Sequence, residues 1–281
     1  MPERNIRLTL AYDGTDFLGW QQQASGRTVQ GVLLEGLGRM HGHPMRIVAA
    51  GRTDAGVHAT GQVANFRTDI DSIPPERFRD AVNSYLPRDV RVLESQEAAP
   101  GFHARRSARL RVYRYYIVSS PVLLPHLRNY RHWVRRSLDL ERLNAMAAAL
   151  AGEHDFSAFA AEGDANQSRV RLVTTSSFER KGDTLVYTVA ATSFLWKMVR
   201  TIIGTCLMLE EQGLGPAELT TILLSGRRSE AGGTAPARGL FLEGVFYDAE
   251  EPEPGRSLES AESGGGLPFG GVLQSAPGTG D

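Results

Sequence analysis

The sequence predicts an α+β fold: two β-α-β-β-α-β halves whose antiparallel sheets form a central cleft. Three observations predict it. Residues 5–11 alternate, with Ile6, Leu8 and Leu10 on one face, which is the period of a half-buried strand. Residues 28–40 instead place Val29, Val32, Leu33, Gly36, Leu37 and Met40 at helical spacing. The order of strand-like and helix-like segments over the first hundred residues then recurs in the rest of the chain up to 248, a known supersecondary arrangement with helices backing one face of a sheet.

In the first half the strands fall at 5–12, 45–50, 62–68 and 89–95. Thr28 suits the N-cap of the helix at 28–40. The second helix, 75–86, opens on Pro74-Pro75 and turns Phe78, Val82 and Leu86 inward. The second half repeats the order with strands at 109–118, 170–179, 184–192 and 240–247 and helices at 139–151 and 194–212, plus an inserted helix at 216–225. The expected organisation is therefore one α+β half over 1–104, a second over 105–248, and a tail over 249–281. That tail is rich in Glu, Pro, Ser and Gly. It offers too little apolar surface to offset its ordering entropy and is expected to be disordered.

Composition narrows the class. The 281 residues are 41% hydrophobic and 22% charged, which fits a globular protein. No apolar run approaches the roughly 18 residues that cross a bilayer. The start, Met1-Pro2-Glu3-Arg4-Asn5, leads straight into a strand pattern with no apolar leader core. The expectation is a cytoplasmic protein with no membrane contact. A single cysteine, Cys206, excludes an internal disulfide or a thiolate metal cluster.

The net charge of −1 conceals an asymmetry. Glu250, Glu251, Glu253, Glu259, Glu262 and Asp281 against Arg256 give the tail −5, leaving +4 on the first 248 residues. Of the 31 basic residues only Lys181 and Lys197 are lysines. Codon bias accounts for that total as well as function does, so the distribution is more informative. Nine arginines lie between 101 and 138 without one Asp or Glu, interleaved with Tyr113, Tyr115, Tyr116, Tyr130 and Trp133. Arginine suits bidentate phosphate contact, and a basic band with aromatics suits nucleic acid. The plainer alternative is a solvated face paired with acids from elsewhere.

Three segments carry candidate chemistry. The connection between the strands at 45–50 and 62–68 is about 11 residues, longer than a hairpin requires. It holds Arg52, Asp54 and His58 between Gly51, Gly56 and Gly61. Arg52 is placed to keep the Asp54 carboxylate ionised, and an ionised carboxylate serves as nucleophile or base; an ordinary turn with a surface arginine reads equally well from spacing. The helix at 194–212 is apolar nearly all round, yet contains Lys197 and Arg200. A buried charge requires a partner, and Asp54 would serve for Arg200, while Lys197 can snorkel. Finally, alternation at 111–117 puts Tyr113, Tyr115 and Ile117 on one face, either as stacking platforms for bases or as core.

With these segments in hand, the chain resembles the tRNA pseudouridine synthases of the TruA family. The matching residues are Tyr12-Asp13-Gly14 with Phe17, Gly19-Trp20-Gln21 and Gln23; Thr28-Val29-Gln30; the loop from Gly51 to Ala59; Phe102-His103-Ala104-Arg105; Tyr113-Arg114-Tyr115; His154-Asp155-Phe156; Met198-Val199-Arg200 with Gly204; and Gly239-Leu240 with Leu242. They run in order across about 240 residues. The resemblance implies the pseudouridine synthase fold and isomerisation of uridine to pseudouridine at positions 38 to 40 of the tRNA anticodon stem-loop. It implies Asp54 as nucleophile, Tyr113 stacked on the target uracil, Arg52 and Arg200 as basic residues near the aspartate, and Leu240 and Leu242 as the apolar wall of the uracil pocket. It further implies no metal or cofactor and a homodimer. Tyr116 and the acidic tail depart from the family pattern. Two other readings are a non-catalytic tRNA-binding or folding protein, and a metal-dependent hydrolase using Asp13, Asp54 and Asp155.

Overall fold

The alternation at the N-terminus becomes β1 (Arg4–Tyr12), with Ile6, Leu8 and Leu10 fully buried. It is followed by α1 (Val29–His41), β2 (Ile47–Ala49), β3 (His58–Thr68), α2 (Phe78–Asn83) and β4 (Val90–Glu97). The remainder is β5 (Leu110–Ser119), β6 (His132–Val134), α3 (Leu140–Ala148), β7 (Gly152–Asp155), β8 (Val170–Lys181), β9 (Thr184–Ala191), α4 (Met198–Glu211), α5 (Pro216–Ser225) and β10 (Leu240–Phe246). The computed structural model describes residues 3–247, so the expected disorder of the tail lies outside the described residues. No helix among them is long and apolar enough to cross a membrane.

Each predicted element is present. The two sheets are joined edge to edge in the order β4-β1-β3-β10-β5-β9-β8-β7, with β2 on β3 and β6 on β5. Every pair is antiparallel except β3 with β10 and β5 with β6. The seam is the β3–β10 pair, where Phe241 and Leu242 meet His58 and Ala59. That distant partner starts β3 at His58, four positions before the strand expected from local pattern, and shortens the following-strand connection to residues 50–57.

Register gives the sheet one core face. Leu10 pairs with Gln62, Tyr12 with Ala59, Ala59 with Leu242, and Leu242 with Tyr113, so these side chains share a face with Ile6, Leu8, Tyr115 and Ile117. All are buried. Helices supply the other side of this core: Val29, Leu33 and Leu37 of α1, Phe78 and Val82 of α2, and Ile202, Ile203 and Cys206 of α4 are fully buried in one continuous cluster. Thr28 caps α1 as expected, its hydroxyl accepting from the Gly31 N–H at 3.2 Å.

One boundary moved for a local reason. Helix α4 begins at Met198, not 194, because Lys197 takes a left-handed conformation with φ 61°. The Trp196 N–H donates to Asp164 Oδ2 (2.5 Å), and the Trp196 carbonyl accepts from the Ala161 N–H (2.9 Å). The Trp196 carbonyl is thereby turned away from the helix, while its N–H, a first-turn donor with no ladder partner in a helix begun at 194, is satisfied by Asp164. Lys197 therefore precedes the apolar helix instead of lying within it.

Candidate active site

The loop at 50–57 is held from below by its own end of the chain. Tyr12 Oη lies 2.8 Å from Thr53 Oγ1, and the Trp20 N–H donates to the Thr53 carbonyl at 3.0 Å. Gln62 Nε2 donates to the Gly51 carbonyl at 2.9 Å. Burial pushes the Tyr12 hydroxyl up to about 12, so it is a neutral hydrogen-bonding group. Two glycines make the approach possible. A Cβ on Gly14 would lie 2.0 Å from the Val57 carbonyl oxygen, and Gly19 combines φ +94° with a position where a Cβ would lie 2.7 Å from the Thr53 carbonyl oxygen.

His58 ends this loop as a buried neutral ring. Burial lowers its pKa below 6.5, with Asp13 partly opposing. Its Nδ1 accepts the Gly14 N–H at 3.0 Å, so Nε2 carries the proton and donates to the Asn129 carbonyl at 3.0 Å. The Asp13 carboxylate, 3.2 Å from Nδ1, is therefore not an ion-pair partner; it accepts from Thr15 and from Tyr130 Oη (2.6 Å).

The far side of the site comes from α4 and the turn before it. Arg200 Nη1 donates to Asp54 Oδ2 at 2.8 Å, and Trp196 Nε1 donates to Asp54 Oδ1 at 3.0 Å. The Asp54 side chain is 20% exposed and that of Arg200 14% exposed. Arg200 is fixed twice to Ala235: its Nε donates to the Ala235 carbonyl (2.8 Å), and its own carbonyl accepts the Ala235 N–H (3.0 Å). The partner that the apolar helix required for Arg200 is Asp54. Arg52 is exposed and makes no hydrogen bond or ion pair among the described residues; the expectation that it holds the carboxylate is corrected. Thr53 turns into the core onto Tyr12, and Arg52 beside it goes to solvent.

Tyr113 borders this carboxylate. Burial, with the neighbouring Tyr12 and Asp54, raises its pKa, so the hydroxyl stays protonated. Its ring meets Phe194 edge-on at 5.0 Å, and the hydroxyl has no hydrogen-bond partner among the described residues. Leu242 lies directly opposite Tyr113 across β10–β5, and Leu240 opposite Tyr115; both leucines are buried. Tyr115 and Ile117 are core, the Tyr115 hydroxyl donating to the Pro236 carbonyl at 2.8 Å.

The basic band divides. Arg111 is buried, and four carbonyl oxygens, those of Ala50, Arg105, Ala108 and Thr192, accept from it. The Ala50 bond, 3.0 Å, ties the start of the Asp54 loop to β5. Arg114 pairs with Glu243 (3.2 Å), and Arg136 pairs with Glu210. Arg131 lies over the Tyr116 ring at 4.2 Å. Arg105, Arg106, Arg109, Arg128 and Arg135 are exposed and remain available to phosphate. Asp13, Asp54 and Asp155 are not gathered: Asp155 accepts from Ser157 in its own turn, and no cluster of metal-ligating residues occurs among the described residues.

Trp196 and Ala235 were not singled out by sequence, and Tyr12 was marked only as part of a matching motif, without a role. For Trp196 a signal existed in its position four residues before Arg200, one turn away. Tyr12 and Ala235 act through distant contacts that no local pattern announces.

A family model described as tRNA pseudouridine synthase matches residues 9–105 and 146–248. A protein of Treponema denticola named tRNA pseudouridine synthase A is 44% identical over 250 residues, covering 87% of this chain and 93% of its own length. Proteins of the same name from Acetivibrio thermocellus (41% over 247 residues, 87% and 100%) and Moorella thermoacetica (44% over 244 residues, 86% and 99%) match similarly. An oriented, part-buried carboxylate beside a protonated tyrosine, in a chain whose family model matches residues 9–105 and 146–248 and whose relatives cover 86–87% of it, places this protein in the tRNA pseudouridine synthase family, isomerases that act on uridine in tRNA.

Proposed function

We propose that the protein converts uridine to pseudouridine at positions 38 to 40 of the tRNA anticodon stem-loop, with Asp54 as the nucleophile. The observation that carries this reading is the Asp54 carboxylate held by Arg200 at 2.8 Å while 20% of its side chain stays open. The reaction breaks the N1–C1′ bond, turns the base and forms the C5–C1′ bond; the C5 proton is lost and N1 gains one. Oxidation state is unchanged and no group donor is required. Asp54 adds to C6, attacks C1′, or assists removal of the C2′ proton; each route begins from the same ionised, oriented oxygen.

In this reading Tyr113 stacks on the uracil, and Leu240 and Leu242 wall the pocket from the same sheet face. A hydroxyl that burial keeps protonated acts as a relay for the C5 proton, not as a standing base. Arg52, exposed beside the nucleophile, meets a phosphate of the bound RNA. The target base leaves its stack to reach the carboxylate. The division into 1–104 and 105–248, a homodimer, a cytoplasmic location and activity without metal or cofactor belong to the same proposal.

Asp54→Ala tests it. The variant is expected to form no detectable pseudouridine in an unmodified tRNA transcript while binding that RNA within about tenfold of the parent, since positioning contacts lie elsewhere. Pseudouridine formation at the parent rate would remove Asp54 from the reaction.

A further inference from the structure

The Arg200 guanidinium does not grip Asp54 bidentately. Its Nε is given to the Ala235 carbonyl, so Nη1 alone reaches Oδ2. One donor on one oxygen leaves the carboxylate plane free to turn about its last bond. The second donor is the indole of Trp196, on Oδ1 at 3.0 Å. With two donors on two oxygens the plane is defined, and each oxygen keeps a further lone pair.

The placement of this indole is built. Trp196 is 47% exposed, so core packing does not account for its position. Its backbone is clamped on both sides, by Asp164 and by Ala161. Asp164 is itself buried; burial pushes its carboxyl up, but the N–H groups of Asn166 and Trp196 outweigh this and hold it below the usual range. The next residue, Lys197, is the one non-glycine with positive φ among the described residues, a conformation that crowds its Cβ against the backbone. Its Nζ then lies 4.7 Å from the centre of the indole ring. A strained backbone, a buried acid and a cation together fix one half-exposed side chain on the nucleophile.

From this geometry we infer that Trp196 is a positioning residue that works through Asp54, its N–H setting the carboxylate plane in the orientation from which it attacks. The inference rests on the nucleophile assignment above. Trp196→Phe keeps an aromatic side chain at this half-exposed position and replaces the indole with a smaller ring that has no N–H. In single-turnover assays with saturating tRNA transcript, the rate of pseudouridine formation is expected to fall about tenfold or more, the usual consequence of losing a hydrogen bond to a charged group. The tRNA dissociation constant and the thermal midpoint are expected to match the parent. A parent-like single-turnover rate overturns the inference. So does a rate loss accompanied by equal losses in affinity or midpoint, which marks a structural role. If Asp54→Ala retains the parent rate, the nucleophile assignment fails independently of the Trp196 result.

Discussion

The loop carrying Asp54 and the turn leading into α4 meet at one carboxylate but are held by different physics. The loop is fixed by neutral contacts: Tyr12 on Thr53, the Gly14 N–H on an uncharged His58, Gln62 on Gly51, and glycine surfaces against its backbone. The turn is fixed by charge: Asp164 on the Trp196 N–H and Arg200 on Asp54. Neutral contacts with steric close approach set where the Asp54 backbone lies. Charged and charge-assisted contacts from across the seam set where its oxygens point. Position and orientation are thus separable, and each can be broken alone.

The largest expected effect breaks orientation. Arg200→Met leaves a part-buried carboxylate without its cation, and single-turnover pseudouridine formation is expected to fall by about 10²–10³. Arg200→Lys recovers little of this, because an ammonium cannot reproduce the planar geometry that serves Ala235 and Asp54 together. Arg52→Ala is the contrast within the same assay: its rate at saturating RNA is expected to stay within about threefold, since Arg52 does not touch Asp54. Equal losses from the two arginines would contradict the assignment of orientation to α4.

Breaking position comes next. Gly14→Ala forces a Cβ to within 2.0 Å of the Val57 oxygen, and Gly19→Ala adds the strain of φ +94° to a 2.7 Å clash with the Thr53 oxygen. Both are expected to cost about 1–3 kcal/mol of stability and to lower the turnover rate through the displaced loop. A denaturation midpoint unchanged from the parent would show that the loop is not held there.

The smallest effect is read by pH, through the buried ring that anchors the loop and a second one in β6. His58 and His132 both have folded pKa values below 6.5, His58 by burial and His132, down to about 4, by burial and then the nearby Arg238 charge. The unfolded chain takes up protons at pH 6.5 that the folded chain refuses. Their stabilisation is therefore complete above about pH 6.5 and declines as pH falls from there toward about 4. The thermal midpoint is expected to drop over that window, and His132→Phe to flatten part of the drop. A midpoint flat from pH 7 to pH 4.5 would show that these rings are not buried neutral.

Much of the site was readable because it is contiguous or because a local rule was violated. The run from Gly51 to Ala59 declares itself through length and glycines. Arg200 declares itself as a charge in an apolar helix, which requires an acid somewhere. Lys197 misled for the same reason: nothing local shows that Asp164 holds the Trp196 N–H from 32 positions earlier, or that Lys197 turns left-handed so that the helix begins only at Met198. Arg52 misled because nearness along the chain is not nearness in space, and the buried Thr53 beside it faces the core.

By itself, then, the sequence determined the α+β order, the two sets of strands and helices, the nucleophile candidate and the need of Arg200 for a partner. These follow from periodicity, glycine placement and the cost of burying a charge, all of which act over a few residues. Only the tertiary structure decided that β3 and β10 pair to make one sheet, that Tyr113 and Leu242 stand side by side, that Arg200 and not Arg52 holds Asp54, and that Trp196 supplies the second donor. Those contacts join residues 129 to 183 positions apart, where loop closure and packing of the whole chain, not local propensity, choose the partner.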